Sequence, residues 1–469
     1  MTPTSTDGMF RRAFAATVVT LVVLCSVFLA LGYLQGAKLS SGQVDPATVV
    51  AQSGQQLRLF ANQSVAPVTT GQVSVTPATR VTASSQGADI SVQFADRLDY
   101  GTTYTVTIKN VRSIYGQRSS TFRYSFSTAA ANLYFLDRAA PGAADPLDSI
   151  VQTGVAGRSQ KVVYSARHIQ SFAPFPGALA VVTLNDDNTS TLSLVSLKGA
   201  GVEPVLLPTT GVIDNVQSNA EAGLLGFTFS SGAAVSGGGG PDPQYSNTLM
   251  TVDFNSTHTV QPELGPDGQP MRVRSWFFLP GGSSIVAQAL DGSVSVTDPT
   301  TPGKPVSLGR YSSLSGSSPD GKSILVGDAA GQLAYSLSNG ATTRLKPLAI
   351  GGVVPSGGDV ALTGNGMTRL QSAAVANGRP TPFAVSLVID DGKKPRILYE
   401  IPGDIGSIES LSVSPNSQYV AIEEIPDVSA SVSDGYSRDA RSTSVATAIV
   451  HLATGEVVSI VSGFGVVWQ

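Results

Sequence analysis

The stretch "LPGGSSIVAQALDGSVSVTD" at residues 279–298 lies without a gap on "SPDGKSILVGDAAGQLAYSL" at residues 318–337, 39 residues further along. Pro280 matches Pro319, Gly282 matches Gly321, Ser284-Ile285 match Ser323-Ile324, and Gly292 matches Gly331. Shorter copies read "VPSGGDVALTGNGM" at 354–367 and "SPNSQYVAIEE" at 414–424, with weaker ones at 218–229 and 175–184. What recurs is a proline, a tight turn and an apolar run. Proline fixes φ and withdraws a donor where a strand ladder ends; Asp, Asn or Gly then permits the reversal. The Asp320 and Lys322 pair does not recur, so the motif reads as a hinge between strands rather than a ligand site. A period near 40 with four short strands per unit predicts a β-propeller. One four-stranded sheet cannot bury both faces and must pack on neighbours around an axis. In the best copy the second, third and fourth strands are expected at 323–327, 333–337 and near 343–348.

The segment "GFGVVWQ" at 463–469 looks like the apolar strands that elsewhere precede the proline turn, "SWFFLP" and "LSVSP". It is expected to be the first strand of a blade whose remainder is "NLYFLDR" at 132–138 and "DSIVQTG" at 148–154, which closes the ring without open edges. Counting copies gives seven blades, with six and eight the neighbouring counts. "SPDGK" before an apolar strand resembles the repeat of TolB-like propellers, and lacks the Gly-His and Trp-Asp pairs of WD40 repeats. That resemblance covers about 131–469 and implies a binding platform, although some such propellers are enzymes or are joined to them.

Ahead of the repeats, "AFAATVVTLVVLCSVFLALGYL" at 13–34 carries no charge. As a helix it would span roughly 33 Å, enough to cross a hydrocarbon core. Arg11 and Arg12 precede it and only Lys38 follows closely, which predicts a cytoplasmic tail at 1–12 and export of the rest. A cleaved signal peptide ending near "ALG" and a twin-arginine signal are the competing readings. Cys25, the single cysteine, reads as a small apolar residue of that helix. Leu24 before it and the apolar run after it do not fit a lipid-attachment site.

Residues 35–55 are expected as a linker and 56–130 as a small β-sandwich. "GQVSVTP", "ADISVQF", "TTYTVTI" and "TFRYSFST" alternate with period two, the mark of half-buried antiparallel strands. The stretch "LDYGTTYTVTIKNVRSIYGQRSSTFRYSFST" at 98–128 resembles the bacterial Ig-like domain of S-layer and other exported surface proteins, through Leu98, Gly101 to Val106, the turn from Val111 to Gly116, and Phe126-Ser127-Thr128. The resemblance implies a spacer or binding module.

Chemistry is sparse. His168, His258 and His451 fall in separate blades without metal-ligand spacing. "NDDN" at 185–188 and "IDDGKK" at 389–394 read as hairpin turns, with calcium binding the sharper alternative. The glycine-rich segment 231–243 reads as a loop, since no strand-then-helix context surrounds it. Trp276 and Trp468 occupy equivalent blade positions and read as packing anchors. The polar insertion "VSASVSDGYSRDARSTS" at 428–444 is either a binding loop or a disordered excursion. A net charge of −4 with no long basic run argues against nucleic acid. The expectation is therefore an all-β chain with a transmembrane helix, an Ig-like sandwich and a propeller. It has no catalytic, cofactor or metal residue to name and its binding residues are unknown. It is held in the cell membrane, with the lipid bilayer and an envelope protein or wall glycan as partners. The alternatives are an extracytoplasmic hydrolase or lyase with its site at the propeller axis, and a structural surface-layer component.

Overall fold

The computed structural model describes the chain except residues 1–5, 35, 117, 145, 200, 233–243, 302, 365–367, 377–378 and 381–384, with backbone alone for 6–9, 27–34, 376 and 379–380. It divides into two compact units, 1–129 and 130–469.

In the first unit a helix runs over Thr6–Leu34. Among the described residues no helix is long and apolar enough to cross a membrane; the described side chains of this helix end at residue 26, short of the apolar "VFLALGYL" that follows. A sandwich comes next. One sheet orders Leu39–Gln43, Gln56–Ala61, Asp89–Phe94 and Val81–Gln86; the other orders Val73–Thr76, Thr103–Arg112 and Ser119–Ser127. The alternating residues face inward as the period predicts, with Ile90, Val92, Phe94, Val106 and Ile108 fully buried.

Part of the segment expected as a linker, 35–55, is structured. Leu39–Gln43 pairs with Gln56–Ala61, and Ala37, Val49 and Val50 are buried. The strand reads "LSSGQ" and shows no apolar alternation, which hides it from a periodicity argument. It is held instead by the Tyr124 hydroxyl, which donates to the Gly42 carbonyl at 3.1 Å. A Cβ at Gly42 would stand 2.5 Å from that ring.

The second unit contains, among the described residues, seven four-stranded antiparallel sheets, numbered I to VII here in ring order. Sheet I joins Phe464–Trp468 to Asn132–Asp137, Asp148–Gly154 and Lys161–Ala166. Sheets II to VII begin at Ile169, Gly211, Val273, Ser313, Val360 and Ser407. The first strands of consecutive sheets from I to VII lie against one another, and sheet VII packs against Phe464–Trp468, which completes a propeller-like ring. The pairing of the last strand with Asn132–Asp137 is the closure expected from the sequence. Apolar faces pack sheet on sheet: Ala173 and Val182 of II against Ile213, Phe227 and Phe229 of III, and Val286 and Val294 of IV against Ile324 and Val326 of V. Each such side chain contributes about 1.5–3 kcal/mol on burial.

The recurring turn joins the first and second strands of a sheet. Buried Ser318 donates to Asp320 at 2.6 Å, and its hydroxyl accepts from the Ser323 amide at 3.0 Å. Ser414 does the same for Asn416 and the Tyr419 amide, each at 3.0 Å. Gly321, with φ +69°, sits so close to the Pro280 carbonyl of the neighbouring turn that a Cβ there would be 2.8 Å from it. The copy at 354–367 is out of register, however. Its proline and glycines precede Val360–Thr363, which is the first strand of sheet VI rather than the second. The sequence is glycine-rich on both sides of that strand, and sequence similarity alone does not say which side carries the hinge.

Candidate functional site

In sheets IV and V the link between second and third strands is as short as residues 290–292 and 329–330, whereas in sheet VII it is the polar insertion, residues 426–445. So long a link must satisfy its own backbone. It does so by folding as a hairpin: the Asp434 amide donates to the Arg441 carbonyl at 2.9 Å and the Thr443 amide to Val432 at 2.8 Å. The excursion is thus a built strap, reaching from sheet VII to sheets I, II and III.

Its anchor is Arg138, the last residue of "NLYFLDR". The guanidinium donates to Asp434 at 2.7 Å and to the Asp439 carbonyl at 2.8 Å. Arg138 and Asp434 side chains are only 3% and 4% exposed. The same guanidinium stacks over the Tyr436 ring at 4.0 Å and the Phe464 ring at 5.0 Å. The Tyr436 hydroxyl donates to Asp148, a fully buried carboxylate that also accepts from the Ala139 amide at 3.0 Å and the Ile169 amide at 2.7 Å. Burial first, and then the bond to Asp148, raise the Tyr436 phenol above its usual value. Further out, Ser437 donates to Asn188 at 2.5 Å, and Arg438 to Asp214 at 3.0 Å and 3.2 Å.

Beside the strap, at the ring axis, opens a cavity of about 650 Å³. First strands supply most of its walls: Phe464 to Val467 from sheet I, Gln170 to Phe172 near the start of sheet II, and Ile213 to Val216 from sheet III, with Leu136 from the second strand of sheet I. The strap adds Asp439 and Arg441. Arg441 stacks on Phe464 at 5.0 Å and reaches Asp439 at 3.3 Å and Glu423 at 3.8 Å. Two buried donors here, Gln170 Nε2 and Arg441 Nε, have no hydrogen-bond partner among the described residues. Leaving a buried donor unmade costs about 1–3 kcal/mol. No histidine stands among the residues lining the cavity.

The sequence-derived candidates distribute as follows. His168 and the 185–188 turn meet at a second cavity of about 330 Å³, closed by Tyr436, whose ring meets the His168 ring edge-on at 5.7 Å. His258 bonds the Phe254 carbonyl at 2.8 Å and His451 packs edge-on against Tyr419, so the three histidines remain in separate places. Among the described residues no cluster of His, Cys, Asp or Glu could hold a metal ion. In the 389–394 turn, buried Asp390 pairs with Arg369 at 2.7 Å, while Asp391 accepts from the Lys393 and Lys394 amides at 2.8 Å. Asp320 and Lys322 stand 3.6 Å apart on an exposed turn. Trp276 is buried over Gly226, where a Cβ would strike its ring, and Trp468 donates to Ser412. Residues 233–243 of the glycine-rich segment lie outside the described residues. The sequence reading missed Gln170, Asp214 and Arg441. Their only signal was position, at first strands and in the insertion.

A family model described as a bacterial Ig-like domain matches residues 40–128. No curated protein matches the chain. Among solved structures, the β-propeller domain of the trilobed protease from Pyrococcus furiosus is 12% identical, with a TM-score of 0.42, over 74% of this chain and 92% of that one. Putative 6-phosphogluconolactonases from Bacteroides fragilis and Bacteroides uniformis are 12% and 14% identical, with TM-scores of 0.41 and 0.43. Each of these two matches covers 72% of this chain, and 98% and 99% of the respective relative. Likeness of that degree carries nothing about chemistry.

Proposed function

We propose that this chain is a membrane-held, non-catalytic binding protein of the cell envelope. Residues 13–34 anchor it with the first dozen residues in the cytoplasm, the Ig-like unit acts as a spacer, and a closed seven-bladed propeller presents the axis cavity outside the membrane. The observation that carries this reading is the pair of unpartnered donors, Gln170 Nε2 and Arg441 Nε, beside a cavity whose lining mixes Leu136, Phe172 and Ile213 with Asp214 and Asp439. Such a site suits a neutral ligand rich in acceptor oxygens that also carries small apolar groups. An N-acetylated wall glycan carries both, in its acetamido carbonyl and its methyl group.

Calorimetric titration of the full chain in nanodiscs with soluble N-acetylated glycan fragments tests it. Saturable binding is expected, weakened about tenfold or more by Gln170→Leu, since tenfold corresponds to about 1.4 kcal/mol, near the worth of one such bond. Absence of saturable binding overturns the glycan reading, and cleavage of the fragments overturns the non-catalytic one.

A further inference from the structure

The Ig-like unit buries its apolar residues thoroughly, with one exception. Outside the N-terminal helix, Ile114 and Tyr115 are its only large hydrophobic residues exposed, at 58% and 59%, among the described residues. They sit side by side in the turn between Thr103–Arg112 and Ser119–Ser127. The turn is not loose. Buried Ser113 bridges to Val65, the Ile114 amide donates to the Ser64 carbonyl at 3.2 Å, and the Tyr115 amide donates to Ser113 Oγ at 3.0 Å. Exposed Arg112 and Arg118 flank it.

The chain reaches this same end of the sandwich directly from the helix. The helix ends at Leu34, and a Cβ at Gly36 would stand 3.5 Å from the Arg118 carbonyl. The amide of Lys38, also exposed, donates to the Asn62 side-chain Oδ1 at 2.8 Å, and its carbonyl accepts from the Asn62 amide at 2.9 Å, in the loop that bridges to Ser113. The nine residues of Ser119–Ser127 then carry the chain about 30 Å away.

We propose that Ile114 and Tyr115 form a membrane-docking tip that seats in the headgroup boundary of the bilayer, with Arg112, Arg118 and Lys38 on anionic headgroups. This rests on the reading of residues 13–34 as a bilayer span. An apolar helix that ends two residues before Gly36 leaves the tip within a few ångströms of the membrane surface. An aliphatic residue beside a tyrosine, rimmed by arginines, is the chemistry that such a boundary favours. The tip would fix the sandwich upright, so that its far end stands clear of the surface.

The test uses the full chain in nanodiscs of phosphatidylcholine and phosphatidylglycerol, with an environment-sensitive fluorophore on single cysteines and brominated lipid as the quencher. Three proteins are compared: the native chain labelled at Cys25, and Cys25→Ser carrying either Tyr115→Cys or Ser127→Cys. The expected result is strong quenching at positions 25 and 115, none at 127, and about a twofold loss of quenching at 115 when Arg112→Gln and Arg118→Gln are added. Quenching at 25 but not at 115 overturns the docking tip and leaves the anchor standing. Absence of quenching at 25 overturns the anchor, and the tip with it unless 115 is quenched on its own, which would support docking without a span. Crosslinking of position 115 to a second copy in place of quenching also overturns the proposal.

Discussion

At the scale of single residues the strap depends on one cation. Arg138 and Asp434 lie 296 positions apart in sequence and form an almost fully buried pair. Removing one partner leaves an uncompensated buried charge, which costs about 3–5 kcal/mol, whereas removing both leaves none. Arg138→Leu is therefore expected to destabilise the propeller-like unit by about that amount in urea titration, and Arg138→Leu combined with Asp434→Leu to recover most of it. A double variant no more stable than the single one would show that cation stacking on Tyr436 and Phe464, rather than the charge pair, holds the strap. In sequence Arg138 is merely the residue after an apolar run. Its importance comes from a partner that no local pattern can point to.

At the scale of elements, one phenol adds a titratable tie between the strap and sheets I and II. Tyr436 donates to Asp148, and its ionisation is opposed by burial and by that carboxylate. The folded phenol titrates above its ordinary value of 10.0. Its contribution is therefore complete below that value and is lost as pH rises through the folded value, where the phenolate can no longer donate and repels Asp148. Limited proteolysis of the strap by an alkaline-tolerant protease should accelerate progressively as pH rises above about 10 in the native chain. In Tyr436→Phe the rate should be higher throughout and flat over that range. The hinge turns show the opposite balance. Ser318 and Ser414 with their following Asx residues were readable because the bonds run within six residues. The misregistered copy at 354–367 shows where this stops, since glycine stands on both sides of Val360–Thr363 in the sequence. The strand Leu39–Gln43 escaped because it shows no apolar alternation and is ordered by pairing with Gln56–Ala61 and by Tyr124.

At the scale of the whole molecule, the ring is held shut by Phe464–Trp468. Phe464 and Val466 are buried, the Gly465 amide donates to Glu423 at 2.5 Å, and Trp468 reaches Ser412. Deleting 464–469 is expected to cost about 3–6 kcal/mol for those two side chains alone. It also leaves the Asn132–Asp137 edge open, so loss of thermal stability and concentration-dependent association should appear together in scanning calorimetry and light scattering. A truncated chain that remains as stable and monomeric as the native one would contradict closure by this strand. The repeat, the turns, the period-two strands and the uncharged run at 13–34 were set by short-range patterns, because strand alternation and turn preferences act over a few residues; the pairing of the two ends of the ring was legible only through the repeat. The tertiary structure decided the rest. It folded the polar insertion into a strap and gathered Gln170, Asp214 and Arg441 around one cavity. It also brought His168 to Tyr436 and left Ile114 and Tyr115 exposed where the helix meets the sandwich. A closed ring brings together side chains hundreds of positions apart, and the burial and charge pairing that give them meaning exist only once the ring has formed.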